Sequence, residues 1–273
     1  MFETRRAQSR SRGALDMMEL IYHSIVRDIR KQHRYAVIGL LINIMQTVVL
    51  ALVFYVIFSI LGLRGSAIRG DFMLYIMSGI ILFMTHIKAV GAVMGSEGPA
   101  SAMMKHAPMN TIVAISASAL SSLYIQVLSV AVVLYIYHAA FTPITIEDPV
   151  GAMGMLLLAW FSGCAAGMVF LGLKPSLPDF VAVVAQLYRR AQMIASGKMF
   201  VANALPASMR ALFDWNPLYH TIDQARGFAF INYNPMFSSI SYALTVSVVL
   251  VMIGLMLEFY ARRNVSLSHE ATR

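Results

Sequence analysis

The sequence predicts an all-α integral membrane protein. It should have six transmembrane helices, an N-terminal amphipathic interfacial helix and broken re-entrant exterior helices between spans five and six. Three observations predict it. Of 273 residues, 59% are apolar and 12% charged, against about 45–50% and about 25% in an ordinary soluble domain. Mean hydropathy is +0.69, and so little polar surface cannot coat a soluble core of this size. Long uncharged windows recur, separated by short segments whose lysines and arginines fall mainly on one side. The single cysteine, Cys164, excludes an internal disulfide or a cysteine zinc cluster.

The elements follow in order. In the cytoplasmic segment 1–36, Leu15, Met18, Tyr22, Ile25 and Ile29 recur at spacings of three and four, which lines up one helical face. Arg27, Arg30, Lys31 and Arg34 cluster beside it, as in a helix lying in the membrane interface; the other reading is a charge cluster that only orients the first span. A helix crossing about 30 Å of hydrocarbon needs about 20 apolar residues. Such windows occur at 37–63, 72–93 (with Lys88 near its end), 111–137, 150–173 and 237–260. The stretch 177–205 opens with Phe180, Val181, Val183 and Val184, meets Arg189 and Arg190, and resumes with Met193 and Ile194. It is taken as the fifth span; without it the two termini would lie on opposite sides. The transmembrane domain thus covers 37–261, followed by a cytoplasmic tail at 262–273.

Two connecting segments stand out. The cytoplasmic loop 95–110 can hold a helical turn or two between Pro99 and Pro108, presenting Met103, Met104, Lys105 and His106 after Glu97. It either docks a soluble partner or merely connects. The exterior segment 203–236 is strongly aromatic, with Phe213, Trp215, Tyr219, Phe228, Phe230 and Tyr233. Pro206 and Pro217 divide it, which predicts two short re-entrant helices, at 207–213 and 218–230. Re-entrant backbone requires protein or a water-filled cavity to satisfy its polar groups. The rings either anchor the chain at the membrane boundary or offer faces on which sugars stack.

Charge sets the orientation. With the N-terminus inside, the cytoplasmic basic set is Arg5, Arg6, Arg10, Arg12, Arg27, Arg30, Lys31, Arg34, Lys88, Lys105, Lys174, Arg262, Arg263 and Arg273, against Arg64, Arg69, Arg210 and Arg226 outside. The positive-inside asymmetry fits six spans with both termini cytoplasmic, in a bacterial-type inner membrane. It also accounts for the net charge of +8 without nucleic acid. The first apolar run is too long for a signal-peptide core and lacks a small-residue cleavage site.

No P-loop, dinucleotide fingerprint, HExxH or nucleophile elbow occurs, and the seven histidines show no metal-ligand spacing. The five clearest spans carry no acid at mid-depth, and Asp179 lies near the start of the fifth. Ion-coupled carriers place ionisable groups near the bilayer centre, so the energy is expected from another polypeptide. A membrane enzyme or assembly factor without a conduit, and a structural anchor, remain as other classes. Arg189, Arg190 and Lys198 form the one intramembrane charge cluster. It either faces a cavity or partner and suits an anionic solute, or it sits at the cytoplasmic headgroups.

Ala204-Leu-Pro206, Trp215-Asn-Pro-Leu-Tyr-His220, then Ile222, Asp223 and Arg226, together with Ile194-Ala-Ser-Gly-Lys-Met-Phe200, carry a resemblance. In these motifs, and in element order over about residues 14–263, the chain resembles the membrane subunit of ABC exporters of capsular and other cell-surface polysaccharides, the family that includes O-antigen and teichoic acid permeases. Gln32-His33-Arg34-Tyr35, where the family has an aromatic-rich lead, and Lys198 depart from its pattern. The resemblance implies a homodimeric conduit that exports a polysaccharide. Power comes from two separate soluble P-loop ATPase subunits that hold the ATP and magnesium, so this chain binds no cofactor and is no enzyme alone. It implies coupling through Glu97, Met103, Met104, Lys105 and His106. It implies an exterior gate of Pro206, Asn216, Pro217, His220, Asp223 and Arg226, and a pathway along Tyr188, Arg189, Arg190, Phe200, Trp215 and Tyr219. Periplasmic or outer-membrane export proteins are further implied partners. Related permeases for a lipid-linked glycan, a drug or another lipid are the alternative within the class.

Overall fold

The computed structural model describes residues 19–26, 36–60, 62, 68, 71–96 and 111–270. Among them, residues 19–26 are helical, and the main helices are α1 (Ala36–Ile60), α2 (Phe72–Met94), α3 (Thr111–Ala140), α4 (Pro149–Leu173) and α5 (Pro178–Ala195). The single turn α6 (Ala207–Arg210), α7 (Pro217–Ala229) and α8 (Ile240–Glu270) follow. The loop residues Glu97, Met103, Met104, Lys105 and His106 lie outside the described residues. So do Leu15, Met18 and Ile29 of the expected interfacial face and its cluster from Arg27 to Arg34.

Local chemistry sets the helix starts. Asp71 accepts from the Met73 amide at 2.8 Å, and Asp148 accepts from Val150 and Gly151 at 3.0 and 2.9 Å. Each satisfies amides that a first helical turn leaves unpaired. Pro149, Pro178 and Pro217 occupy first-turn positions, where proline forfeits no helical hydrogen bond.

Among the described residues, five helices, α1 to α4 and α8, are long and apolar enough to cross a membrane. α2 and α4 form the centre, with 72% and 61% of their most apolar windows buried, whereas α1 and α8 bury 22% and 17%. The outward faces of α1 and α8 therefore meet lipid or another chain. α4 packs closely on both neighbours through small residues, as membrane helices do. A Cβ on Gly163 would come within 2.4 Å of the His86 carbonyl, and one on Gly167 within 2.9 Å of the Val90 carbonyl. On its other side, Met168 lies against Gly254 and Leu257 against Gly172. Both residue series ascend together, so α2, α4 and α8 run parallel. The segment 174–239 accordingly carries the chain back from one end of the bundle to the other.

That return differs from the single apolar span expected over 177–205. α5 spans 18 residues and stops at Ala195, because the chain then bends at Gly197 (φ +75°), a left-handed conformation open to glycine. α5 is also amphipathic, so it is not among the five apolar crossings. Of the two expected short helices, 207–213 is one helical turn continued by turns to Trp215, and 218–230 is α7, which starts at Pro217. α7, at 13 residues, rises about 20 Å and cannot span hydrocarbon. It packs among α2, α4 and α8, and its end is tied to the start of α4 by the Asp148 amide donating to the Phe228 carbonyl at 2.9 Å.

Candidate functional site

Where α5 ends, non-helical backbone lies inside the bundle and needs hydrogen-bond partners. Arg226 of α7 supplies them. It is fully buried. Its Nη1 donates to the carbonyls of Gly197 (3.0 Å) and Phe200 (2.6 Å), and its Nη2 to that of Lys198 (2.7 Å). The guanidinium lies over the Tyr75 ring of α2, 4.4 Å from its centroid, a cation–π contact. Gly79 admits this loop: a Cβ there would come within 2.7 Å of the Lys198 carbonyl and 2.9 Å of Arg226 Nη2. The Lys198 ammonium, also buried, sits 3.7 Å from the centroid of Phe83 and 5.2 Å from that of Phe54.

A second fastening joins the end of α5 to the start of α7. Asn216 caps α7 by accepting from the Leu218 amide at 3.1 Å. Its Nδ2 donates to Gln192 Oε1 at 2.7 Å and to the Ala195 carbonyl at 2.9 Å. Asp223 accepts from the Tyr233 hydroxyl (2.5 Å), the Ser238 hydroxyl (2.7 Å) and the Ala202 amide (3.3 Å). Burial, and the Asp223 carboxylate beside it, push the Tyr233 hydroxyl well above the ordinary phenol range. His220 Nδ1 accepts from the Ser239 amide at 3.1 Å and Nε2 contacts the Asp214 carbonyl at 2.7 Å, which assigns the neutral Nε2–H tautomer. Asn216, His220, Asp223 and Arg226 thus hold one joint between α5, α7 and the start of α8. Pro217 starts α7 within it; Pro206 lies apart, exposed ahead of α6.

The expected pathway residues separate. Tyr188 turns inward, its hydroxyl 2.8 Å from His86 Nε2; His86 Nδ1 meets the Ser162 hydroxyl at 2.9 Å, so this chain of bonds ties α5 to α2 and α4. Arg189 lines a cavity beside α1, α2 and α3, whereas Arg190 is exposed and does not line it. Tyr219 is buried in a ring cluster with Phe200 and Phe213, whose centroids are 4.8 Å apart. The cluster continues through His220 to Tyr242, 4.6 Å away. Trp215 is 57% exposed at the same end, and the Tyr242 hydroxyl donates to its carbonyl at 3.1 Å. Arg210 stacks on Phe237 at 3.4 Å.

Sequence reasoning missed Gln192, Gly79, Tyr75 and His86 as parts of this assembly. A glutamine in an otherwise apolar stripe and a glycine mid-span were the available signals, but their partners lie far away in sequence. What the site does chemically is hold backbone open and fixed within the bundle, with aromatic faces exposed at its mouth. Among the described residues, no group of three or more His, Cys, Asp and Glu side chains comes together as a metal site.

A comparison with curated proteins finds no match. The family model for ABC-2 type transporters matches residues 19–230, a stretch that includes α1 through α7 and, within the joint, Asn216, His220, Asp223 and Arg226. With five apolar crossing helices around that joint, the chain is a multi-pass membrane protein and belongs to the ABC-2 type transporter family, as the membrane permease component of an ABC transporter whose ATPase resides on a separate subunit.

Proposed function

We propose that this permease exports a polysaccharide, capsular or of a related cell-surface type, from the cytoplasm across the inner membrane. Two copies form the conduit and soluble P-loop ATPases power it. The observation that carries the reading is the mouth of the α5–α7 joint. There Trp215 is exposed, and Tyr242 and Phe237 are partly exposed with His220 and Arg210 against them, beside the cluster of Phe200, Phe213 and buried Tyr219; flat ring faces such as that of Trp215 suit the C–H faces of sugars. In this reading the mouth is the exterior gate. Lys88, Lys174, Arg262 and Arg263, near the ends of α2, α4 and α8, mark the cytoplasmic end, in line with the positive-inside rule. α5 and its loop make the sixth crossing, supported by the parallel run of α4 and α8, and both termini are cytoplasmic. Arg190, Phe200 and Trp215 border the path, and the loop around Glu97–His106 receives the ATPase. Export of a lipid-linked glycan, a drug or another lipid remains the second reading, favoured by the long apolar faces of α1 and α8.

The test starts with the tagged chain purified in mild detergent from its native membranes, identifying what accompanies it. A soluble P-loop ATPase in near-equal amount is expected. The pair, reconstituted in liposomes, should hydrolyse ATP faster with oligosaccharides of the host's surface glycans, and Trp215→Ala should reduce that stimulation several-fold. Stimulation by apolar drugs alone, with none by glycans, overturns the substrate.

A further inference from the structure

A second cavity, of about 430 Å³, opens between α1, α2, α3 and α5, away from the aromatic mouth. Its polar lining is Asn43, Gln46, Lys88, Ser122, Gln126 and Arg189, with no acid among the described residues that line it. Two formal positive charges therefore face one cavity towards the Lys88 end of α2. An unpaired cation there is expensive and marks a functional site. Among the described residues no carboxylate neutralises them: Lys88 Nζ donates to Gln46 Oε1, and Arg189 Nε donates to the Ala185 carbonyl of its own helix at 3.3 Å. The Arg189 Nη groups have no protein partner among the described residues. Asn43 and Gln126 are 4% and 1% exposed. Asn43 Nδ2 donates to Gln126 Oε1 and to the Ser129 hydroxyl, both at 3.0 Å, which leaves Asn43 Oδ1 and Gln126 Nε2 buried without partners. Native proteins rarely leave such groups unpaired. The donors that the cavity does present, Lys88 and Arg189, match a compact oxyanion.

The surroundings select the kind of anion. Ile42 and Gln46 also border an apolar groove on the outer face of α1, formed by Ile38, Leu41, Met45 and Val49. A ligand with an anionic head in the cavity and a hydrocarbon chain along this groove would satisfy both. We propose that the cavity binds an acidic phospholipid of the bilayer, its phosphate between Lys88 and Arg189 and one acyl chain along α1. The inference goes beyond the transport reading and does not depend on the exported solute.

The test is native mass spectrometry of the full-length chain in detergent with phosphatidylglycerol, phosphatidylcholine or inorganic phosphate added, a readout that involves no transport step. Wild type should retain phosphatidylglycerol in preference to phosphatidylcholine. Lys88→Gln and Arg189→Gln should each weaken retention about tenfold, the loss of one charged hydrogen bond. Lys174→Gln, which removes an exposed charge at the end of α4, should leave retention unchanged. Equal retention of the two lipids by wild type overturns the proposal even if a glutamine variant fails to fold. So does undiminished retention in the Lys88→Gln/Arg189→Gln double variant, and so does inorganic phosphate binding as tightly as the lipid, which would leave the groove without a role.

Discussion

Arg226 shows what one buried residue does when helix geometry fails. The three carbonyls after α5 have left the helical ladder, and one guanidinium pairs them all. Lysine cannot substitute, because an ammonium has no planar fork to reach Gly197, Lys198 and Phe200 together. Each bond from a charged donor contributes about 1.5–3 kcal/mol, and unpaired buried carbonyls add a penalty. Arg226→Ala should therefore lower stability by at least about 3 kcal/mol, and Arg226→Lys should recover only part of it. Thermal unfolding of the detergent-solubilised protein checks this. Arg263→Ala, at an exposed arginine near the end of the bundle, should stay within about 0.5 kcal/mol of wild type. A melting point for Arg226→Ala equal to that of wild type would mean that water, not Arg226, satisfies the loop.

At the scale of elements, α1 to α4 and α8 were legible because each is a long apolar window with at most one charge, near its end, and that pattern needs no partner to be read. α5 was half legible. Its apolar start announced a helix, but its end was set by Asn216 and Arg226, at 24 and 28 residues from the groups they hold, and no local pattern encodes that. The arginine pair was visible; that Arg189 and Arg190 face different surroundings was not, since adjacent helical residues point about 100° apart. The motif Asn216, His220, Asp223 and Arg226 was found from sequence as a group, yet its work of fastening α5 to α7 was not. One consequence concerns the outer stripe of α5. Phe180, Val183, Leu187 and Ile194 are 57–67% exposed, and Arg190 lies on the same stripe by helical spacing. An arginine amid lipid-facing residues costs about 2.5–3.5 kcal/mol or more, so this stripe faces a second copy or the path between two copies. In a Cys164→Ala background, Leu187→Cys should join two copies when treated with a bifunctional maleimide in membranes. Met252→Cys, on the uncharged outer face of α8 and 59% exposed, should not. Cross-linking by Met252→Cys and not by Leu187→Cys would move the dimer contact to α8.

For the whole molecule, the parallel run of α2, α4 and α8 decides the topology more firmly than hydropathy does. Two parallel crossings in one chain require a return between them. α3 makes the first return as an apolar helix. In the proposed six-crossing reading the second is made by α5, whose 18 residues rise about 27 Å, and by the pinned loop that follows. Counting apolar windows alone gives five crossings, puts the termini on opposite membrane faces and leaves α4 and α8 antiparallel. Gly163 against His86, Gly167 against Val90, Gly172 against Leu257 and Gly254 against Met168 do not permit that arrangement. The two ends of the bundle also differ chemically: Lys174 and Arg262 mark one, and Asp71, Asp148 and the aromatic mouth mark the other. Single cysteines at exposed loop positions convert this into a measurement. In the Cys164→Ala background, Ser176→Cys lies in the turn between α4 and α5, and Asn232→Cys follows α7. A membrane-impermeant maleimide applied to intact spheroplasts should label Asn232→Cys at once and Ser176→Cys only after permeabilisation. Labelling of both from outside would place the α4–α5 turn and the aromatic mouth on one face, so that α5 does not cross. Labelling of Ser176→Cys alone would keep the six crossings and invert them, making the aromatic mouth cytoplasmic and removing it as the exit for an exported glycan.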